Sequence, residues 1–187
     1  MALLNPFTRI DKESPLSSFD CGDSDLNEFL SDDALNWQEL LLTVTYCLNL
    51  DGEIILYFSL SNDKILADTL PKSFWRKIKD KFPHDKHRRD YPAVKIGRFA
   101  VGKDYRQSPE HWGTKTMDFI KRWMVTDNKT GCCFITVDAY PSAVPFYLRN
   151  GFKFLGNPEE QRYKAYQKDS TRTDTIAMYF FLKTIIV

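Results

Sequence analysis

Two consecutive stretches in which an apolar strand runs into a helix constrain this chain's fold more than any other feature. In the first, Val94 to Val101 reads as a strand ending in IGRFAV, then comes the loop GKDYRQSPEHW, and then a helix with Met117, Ile120 and Met124 at helical spacing and Phe119 and Trp123 beside them. In the second, Cys132 to Ala139 reads as a strand, and Ser142 to Asn150 as a short helix stopped by Asn150-Gly151. Strands that alternate with helices need a sheet covered by helices, so the fold class is α/β or α+β.

The rest of the chain adds strands and helices around these two units. An extended Leu3 to Ile10 precedes an amphipathic helix that starts near Ser24. It carries Leu26, Phe29, Leu30, Ala34 and Trp37 at three- and four-residue spacings, with Ser24 or Asp23 as cap. Leu41 to Leu50 and Ile54 to Leu60 are rich in β-branched and aromatic residues, and Asp51-Gly52 between them predicts an antiparallel hairpin. Pro71 to Lys81 reads as a helix with Phe74, Trp75 and Ile78 on one side, followed by a polar loop with Pro83 and two histidines. Phe152 to Leu155 and Ile176 to Ile186 supply further strands, and the polar Tyr163 to Thr175 reads as a loop.

At 187 residues and 43% hydrophobic content the chain can bury one core without disulfides or metal, and it has no repeat or long linker. One domain over residues 1–187 is expected. A net charge of +1 is too small to suggest a polyanion partner for the whole surface, yet the charge is uneven. Nine carboxylates stand before Leu40 against Arg9 and Lys12, while Lys72 to Arg89 holds eight Lys and Arg against Asp80 and Asp85. The apolar Ile176 to Val187 is broken by Lys183 and falls short of the roughly 20 residues that a membrane span requires. Without a secretory leader pattern, the expected location is the cytoplasm. Cys21 and Cys47 stand alone and Cys132 and Cys133 are adjacent, which suits free thiols. Cys132 and Cys133, as neighbours on a strand, point to opposite faces and cannot chelate one ion. His84 and His87 follow Pro83 in a charged loop with no cysteine nearby, so no metal site is expected.

A strand that feeds a helix start aims free backbone N–H groups and a positive dipole end at one point, which is an anion site, and Arg106 and Lys115 would add charge there. His111 lies in the same loop, beside the anion or facing solvent. In the second unit, Phe146 and Tyr147 lie three and four residues beyond Ala143 on a face turned to the sheet. Tyr147 is then either a core aromatic with a bonded hydroxyl or a phenol placed for chemistry near strand ends.

The two units in this order, about thirty residues apart, resemble the acyl-CoA-binding core of the GNAT superfamily of N-acetyltransferases. AxxFYxxxGF, Ala143 to Phe152, is similar to its best-known signature. FDCGDSDLNEFLSDDA, Phe19 to Ala34, resembles the start of GNAT enzymes related to bacterial toxin-antitoxin acetyltransferases, so the likeness covers most of the chain. The resemblance implies a GNAT fold, with a mixed, mostly antiparallel sheet of six or seven strands flanked by helices. It implies that Phe99, Ala100 and Val101 offer backbone groups to the pantetheine of acetyl-CoA. It also implies that Arg106, Gln107, Trp112, Gly113, Thr114 and Lys115 hold the pyrophosphate, and that Tyr147 protonates the departing thiolate.

The family's cradle reads Arg/Gln-x-x-Gly-x-Gly/Ala, whereas here Ser108-Pro109-Glu110-His111-Trp112 separate Arg106-Gln107 from Gly113. Ser108-Pro109-Glu110 is itself a helix start, with Ser108 as N-cap and Pro109 at N1. On that reading the helix begins a turn early, Pro109 gives the site no N–H, and Glu110 repels the pyrophosphate by about 1 kcal/mol in water at about 4 Å.

The expected activity is acetyl transfer from acetyl-CoA to a primary amine by direct attack on the thioester, driven largely by orientation. No general base stands out. The toxin-like resemblance and the basic Lys72 to Arg89 segment make aminoacyl-tRNA one alternative acceptor, with tRNA or an antitoxin as partner; the bland reading of that segment is a solvated face. A catalytically degenerate acyl-CoA-binding or interaction module is another alternative. A monomer and a homodimer are both open.

Overall fold

The computed structural model describes residues 5–78, 89–126 and 130–185. Its seven strands form one sheet in the order β1-β2-β3-β4-β5-β7-β6. They are β1 (Thr8–Arg9), β2 (Val44–Leu50), β3 (Glu53–Leu66), β4 (Asp90–Val101), β5 (Phe134–Ala139), β6 (Lys153–Phe154) and β7 (Ile176–Phe181). The pairs β1 with β2, β2 with β3, β5 with β7 and β6 with β7 are antiparallel. The helices are α1 (Ser24–Glu28), α2 (Ala34–Glu39), α3 (Lys72–Ile78), α4 (Trp112–Thr126), α5 (Val144–Arg149) and α6 (Asn157–Lys168). The α/β class and the seven-stranded, helix-flanked sheet are those expected. The chain gathers into two compact units, residues 1–61 with 95–128 and residues 62–94 with 129–187.

In the first unit the Asp51-Gly52 turn has φ of 52° and 86°, as a tight hairpin requires, and sets Tyr46 opposite Phe58 and Cys47 opposite Tyr57. The strand alternation then divides two cores. Tyr57 and Cys47 face Phe29, Leu30 and Ala34 of the first helical segment, while Phe58 and Tyr46 face Phe7 and Trp123. Asp23, not Ser24, caps α1, its carboxylate accepting the Leu26 N–H at 3.2 Å. The helix predicted from Ser24 onwards is interrupted by a π-helical turn over Phe29–Asp33 before α2 resumes. The predicted strand start at Leu41 is corrected to Val44. The amides of Leu42 and Thr43 donate back to Trp37 O at 2.9 and 3.4 Å, so residues 40–43 close the helix, with Leu41 at φ 60°.

In the second unit Phe74 of α3 packs among Phe134, Tyr179 and Phe181, with centroids 6.0, 5.7 and 5.5 Å away. Trp75 stacks on Tyr91 at 4.7 Å and donates its indole N–H to Ala67 O at 2.7 Å. The predicted helix end at Lys81, Pro83, His84 and His87 lie outside the described residues. Cys132 and Cys133 precede β5 rather than lying on it, since the Cys133 amide bonds Pro92 O at 3.0 Å.

The loop expected over Tyr163 to Thr175 is corrected: residues up to Lys168 are helical. Gly156 at φ 90° turns the chain, Asn157-Pro158 open α6, and Glu159 and Glu160 sit in its first turn, where the helix dipole favours carboxylates. Pairs from Glu159 to Arg162 at 2.9 Å and Glu160 to Lys164 at 2.7 Å brace it. None of its residues is buried, so it carries no apolar periodicity for a sequence reading to find.

Candidate active site

Phe99, Ala100 and Val101 form the end of β4, with Ala100 buried in the core. The next residue, Gly102, donates its N–H to Ile55 O at 2.8 Å, and a Cβ there would stand 3.3 Å from that same oxygen. A side chain would be crowded against β3, so glycine suits the close path by which the loop leaves the strand. A single 3-10 turn, Lys103–Tyr105, leads into Arg106 and Gln107. Arg106 does not stand clear of the loop as a bare charge. Its guanidinium donates to Cys21 O and, through Nε at 3.3 Å, to Val101 O.

The helix does not start at Ser108-Pro109. The His111 amide bonds Ser108 O at 3.1 Å, closing a turn over residues 108–111, and α4 begins at Trp112. Its first rung runs from the Lys115 amide to His111 O at 3.1 Å. The amides of Trp112, Gly113 and Thr114 therefore have no carbonyl four residues back within the helix and face out from its positive end. Pro109 is not at N1 and takes no donor from this group. Glu110 is exposed on the preceding turn rather than in the first turn of the helix. His111 reaches this junction with φ at 52°, left-handed backbone that glycine adopts more readily. Lys115 Nζ lies 5.7 Å over the Trp112 ring. Ser108 Oγ is buried with no hydrogen-bond partner among the described residues, a free hydroxyl within the loop. Trp112, Gly113, Thr114 and Lys115 thus come together at one open helix end, while Gln107 is exposed on the loop before it.

In the second unit, Tyr147 lies on α5 and is 6% exposed, between the rings of Phe146 and Phe152, each 5.3 Å away. Gly151 at φ 80° reverses the chain, and the Phe152 amide returns to Tyr147 O at 3.0 Å. A Cβ on Gly151 would meet the Phe180 ring at 3.2 Å, so both the left-handed backbone and the close ring favour glycine at this stop. The Tyr147 hydroxyl makes no hydrogen bond to protein among the described residues, and it is not one of the sealed, unpartnered atoms. It is therefore not the satisfied core phenol that chain statistics favour. Burial raises its pKa, so the phenol holds its proton throughout the neutral range.

Of the basic segment, Lys72, Arg76 and Lys77 are exposed on α3, and Arg89 is exposed ahead of β4; residues 79–88 lie outside the described residues. No helix among the described residues is long and apolar enough to cross a membrane.

The fold is the GNAT fold, which solved structures share over nearly their whole length. AtaT complexed with acetyl-methionyl-tRNAfMet matches at TM-score 0.66 and 20% identity, over 96% of this chain and 97% of that one. A tyrosine-to-phenylalanine mutant of KacT matches at 0.68 and 21%, over 97% and 98%. AtaTR bound with AcCoA matches at 0.64 and 21%, over 96% and 95%. No family model matches the chain, and no curated protein matches it.

Proposed function

We propose that the chain is an acetyl-CoA-dependent N-acetyltransferase of the toxin type, acting as one domain in the cytoplasm, with the α-amine of an aminoacyl-tRNA as acceptor. The observation that carries the cofactor is the open N-terminal end of α4, where the amides of Trp112, Gly113 and Thr114 and the Lys115 ammonium fit a diphosphate. AtaTR has been solved with AcCoA on the same fold, which supports this reading. The acceptor is supported by the acetyl-methionyl-tRNAfMet held by AtaT and by the exposed basic face of α3. AtaT has also been solved with the C-terminus of its antitoxin AtaR, so an antitoxin is the expected protein partner.

In this mechanism acetyl-CoA supplies the activated acyl group, and this chain's residues orient it and move one proton. The backbone of Phe99 to Val101 aligns the thioester along β4, and the α4 end holds the diphosphate, so orientation supplies most of the rate. As the amine nitrogen bonds the carbonyl carbon and the carbon–sulfur bond breaks, the Tyr147 hydroxyl gives its proton to sulfur. It regains one from the ammonium formed, through solvent. A positioned acid of this kind contributes about 10² to 10⁴-fold.

The test is thiol release from acetyl-CoA with charged tRNAs, uncharged tRNA, polyamines and peptide amines as acceptors. Release with charged tRNA alone is expected. Turnover on polyamines or peptides without turnover on charged tRNA would overturn the acceptor assignment.

A further inference from the structure

We infer that Asp20, Cys21 and Asn27 form a clamp that positions the loop between β4 and α4, and that Lys103 and Arg106 are the loop's grips on it rather than ligands of the anion. The segment is stiff in itself. Asp20 Oδ1 accepts the Gly22 N–H at 2.7 Å and the Asn27 amide side chain at 3.0 Å, and Asn27 Oδ1 accepts the Cys21 N–H at 2.9 Å. Cys21 is fully buried in the core against Phe19 and Tyr57, so this stiff turn is fixed to the body of the unit.

Three bonds run from it to the loop. The Lys103 N–H donates to Asp20 O at 3.0 Å, the Lys103 ammonium pairs with Asp20 Oδ2 at 2.7 Å, and Arg106 donates to Cys21 O. Together with the Gly102 bond to Ile55 O, they tie residues 102–106 at both ends, directly before the turn that aims the α4 amides. The stretch FDCGDSDLN therefore has a job outside its own helix. Electrostatics also argues against direct service to the anion. Lys103 is already paired and Arg106 already donates to two carbonyls, whereas a free cation at either place would bind a polyanion better.

Asp20→Asn separates the two ideas by sign. If the loop residues bind the anion directly, removing a carboxylate and freeing Lys103 strengthens CoA binding. If the segment is a clamp, the same change loosens the loop and weakens binding. The affinity arm rests on the acetyl-CoA reading; an exchange arm does not. Hydrogen–deuterium exchange of the ligand-free full chain should show peptides over residues 102–111 exchanging about tenfold faster in Asp20→Asn and Arg106→Lys, with β3 and β5 unchanged. Calorimetric titration with CoA should give a Kd raised about tenfold in each, and less than a hundredfold in the double variant, because both substitutions release one device. Lys103→Met, read by exchange, serves if Asp20→Asn fails to fold. Unaltered loop exchange, or tighter CoA binding with the loop still protected, would overturn the clamp. Wild-type protein that does not bind CoA would overturn the cofactor reading while leaving the exchange result to decide the clamp.

Discussion

The Lys115 amide donates to the His111 carbonyl at 3.1 Å, and that one rung fixes where α4 begins and which amides stay free. A ligand that takes up the free amides binds only the folded chain, so CoA at 100 times its Kd should add about 2.7 kcal/mol of stability. For a chain of this length that is a rise in Tm of about 5 to 11 °C. Because much of the attraction is charge, the rise should shrink as salt is raised. Lys115→Met should weaken CoA binding by about tenfold while leaving the ligand-free Tm nearly unchanged. Thermal melts with CoA at two salt concentrations check this, and no shift at either would remove the α4 end from the site.

A second expectation concerns backbone space. Gly22 and Gly156 both have positive φ, at 75° and 90°, but a Cβ on Gly22 meets nothing within 4 Å while one on Gly156 stands 2.9 Å from Thr69 O. Gly22→Ala should carry only the conformational cost, about 1 kcal/mol. Gly156→Ala adds a collision with backbone that cannot rotate away, and should cost about 2 kcal/mol or more. Urea midpoints of the two variants measure the difference. Equal losses would mean that the approach of the Gly156 turn to Thr69 is not tight in solution.

What could be read in the sequence was whatever had a local cause. Asp51-Gly52 and Asn150-Gly151 are turn signals whose left-handed geometry only such residues adopt readily, and both turns form where expected. Helix α4 starts at Trp112, where the loop GKDYRQSPEHW ends; the earlier start that Ser108-Pro109-Glu110 also offered does not form, because a turn closing from His111 to Ser108 takes those residues first. Helix α6 escaped notice because it buries no side chain. The clamp has no local mark at all. Cys21 and Arg106 are 85 residues apart, and only the folded chain joins a carbonyl to a guanidinium across that distance.

Acid should act on the clamp through Asp20. Hydrogen bonds from Lys103, Gly22 and Asn27 hold its pKa down at about 2, below the value of about 3.9 for a free aspartate. The folded pKa is the lower one, so the carboxylate's contribution is full above about pH 4 and is lost as pH falls towards 2. The carboxylate is exposed and the effect is accordingly small. Loop exchange, corrected for its intrinsic pH dependence, should separate wild type from Asp20→Asn at pH 5, and the gap should narrow as pH falls towards 2. Curves that stay equally far apart at both pH values would assign the difference to something other than ionisation of Asp20.

The basic face of α3 makes a prediction for tRNA. Each phosphate contact that is lost lowers the slope of log affinity against log salt by about 0.7 to 0.9. Replacing Lys72, Arg76 and Lys77 together by Gln should therefore lower that slope by about 2 to 3, with CoA binding unaltered. Filter binding of charged tRNA across a salt series measures it. An unchanged slope would return this face to plain solvated surface.

Tyr147→Phe isolates the chemistry from the fold, because it removes one oxygen that makes no hydrogen bond to protein among the described residues. A satisfied buried hydroxyl would cost roughly 1 to 3 kcal/mol on removal, whereas here no protein partner is orphaned and the change in stability should be slight. If the hydroxyl protonates the leaving sulfur, kcat should fall by about 10² to 10⁴-fold, with the Kd for CoA nearly the same. The pH profile gives a second reading. Burial raises the phenol's pKa above its ordinary value of about 10, so Tyr147 imposes no loss of activity on the alkaline side below about pH 10. A thiolate of pKa about 8.5 can also take its proton from water, and Tyr147→Phe turnover should then recover at low pH, where the thiolate leaves already matched by solvent acid. Steady-state rates for both proteins between pH 6 and pH 10 decide the matter. Parallel profiles with less than a twofold difference in kcat would take Tyr147 out of the mechanism and leave it a packing residue between Phe146 and Phe152.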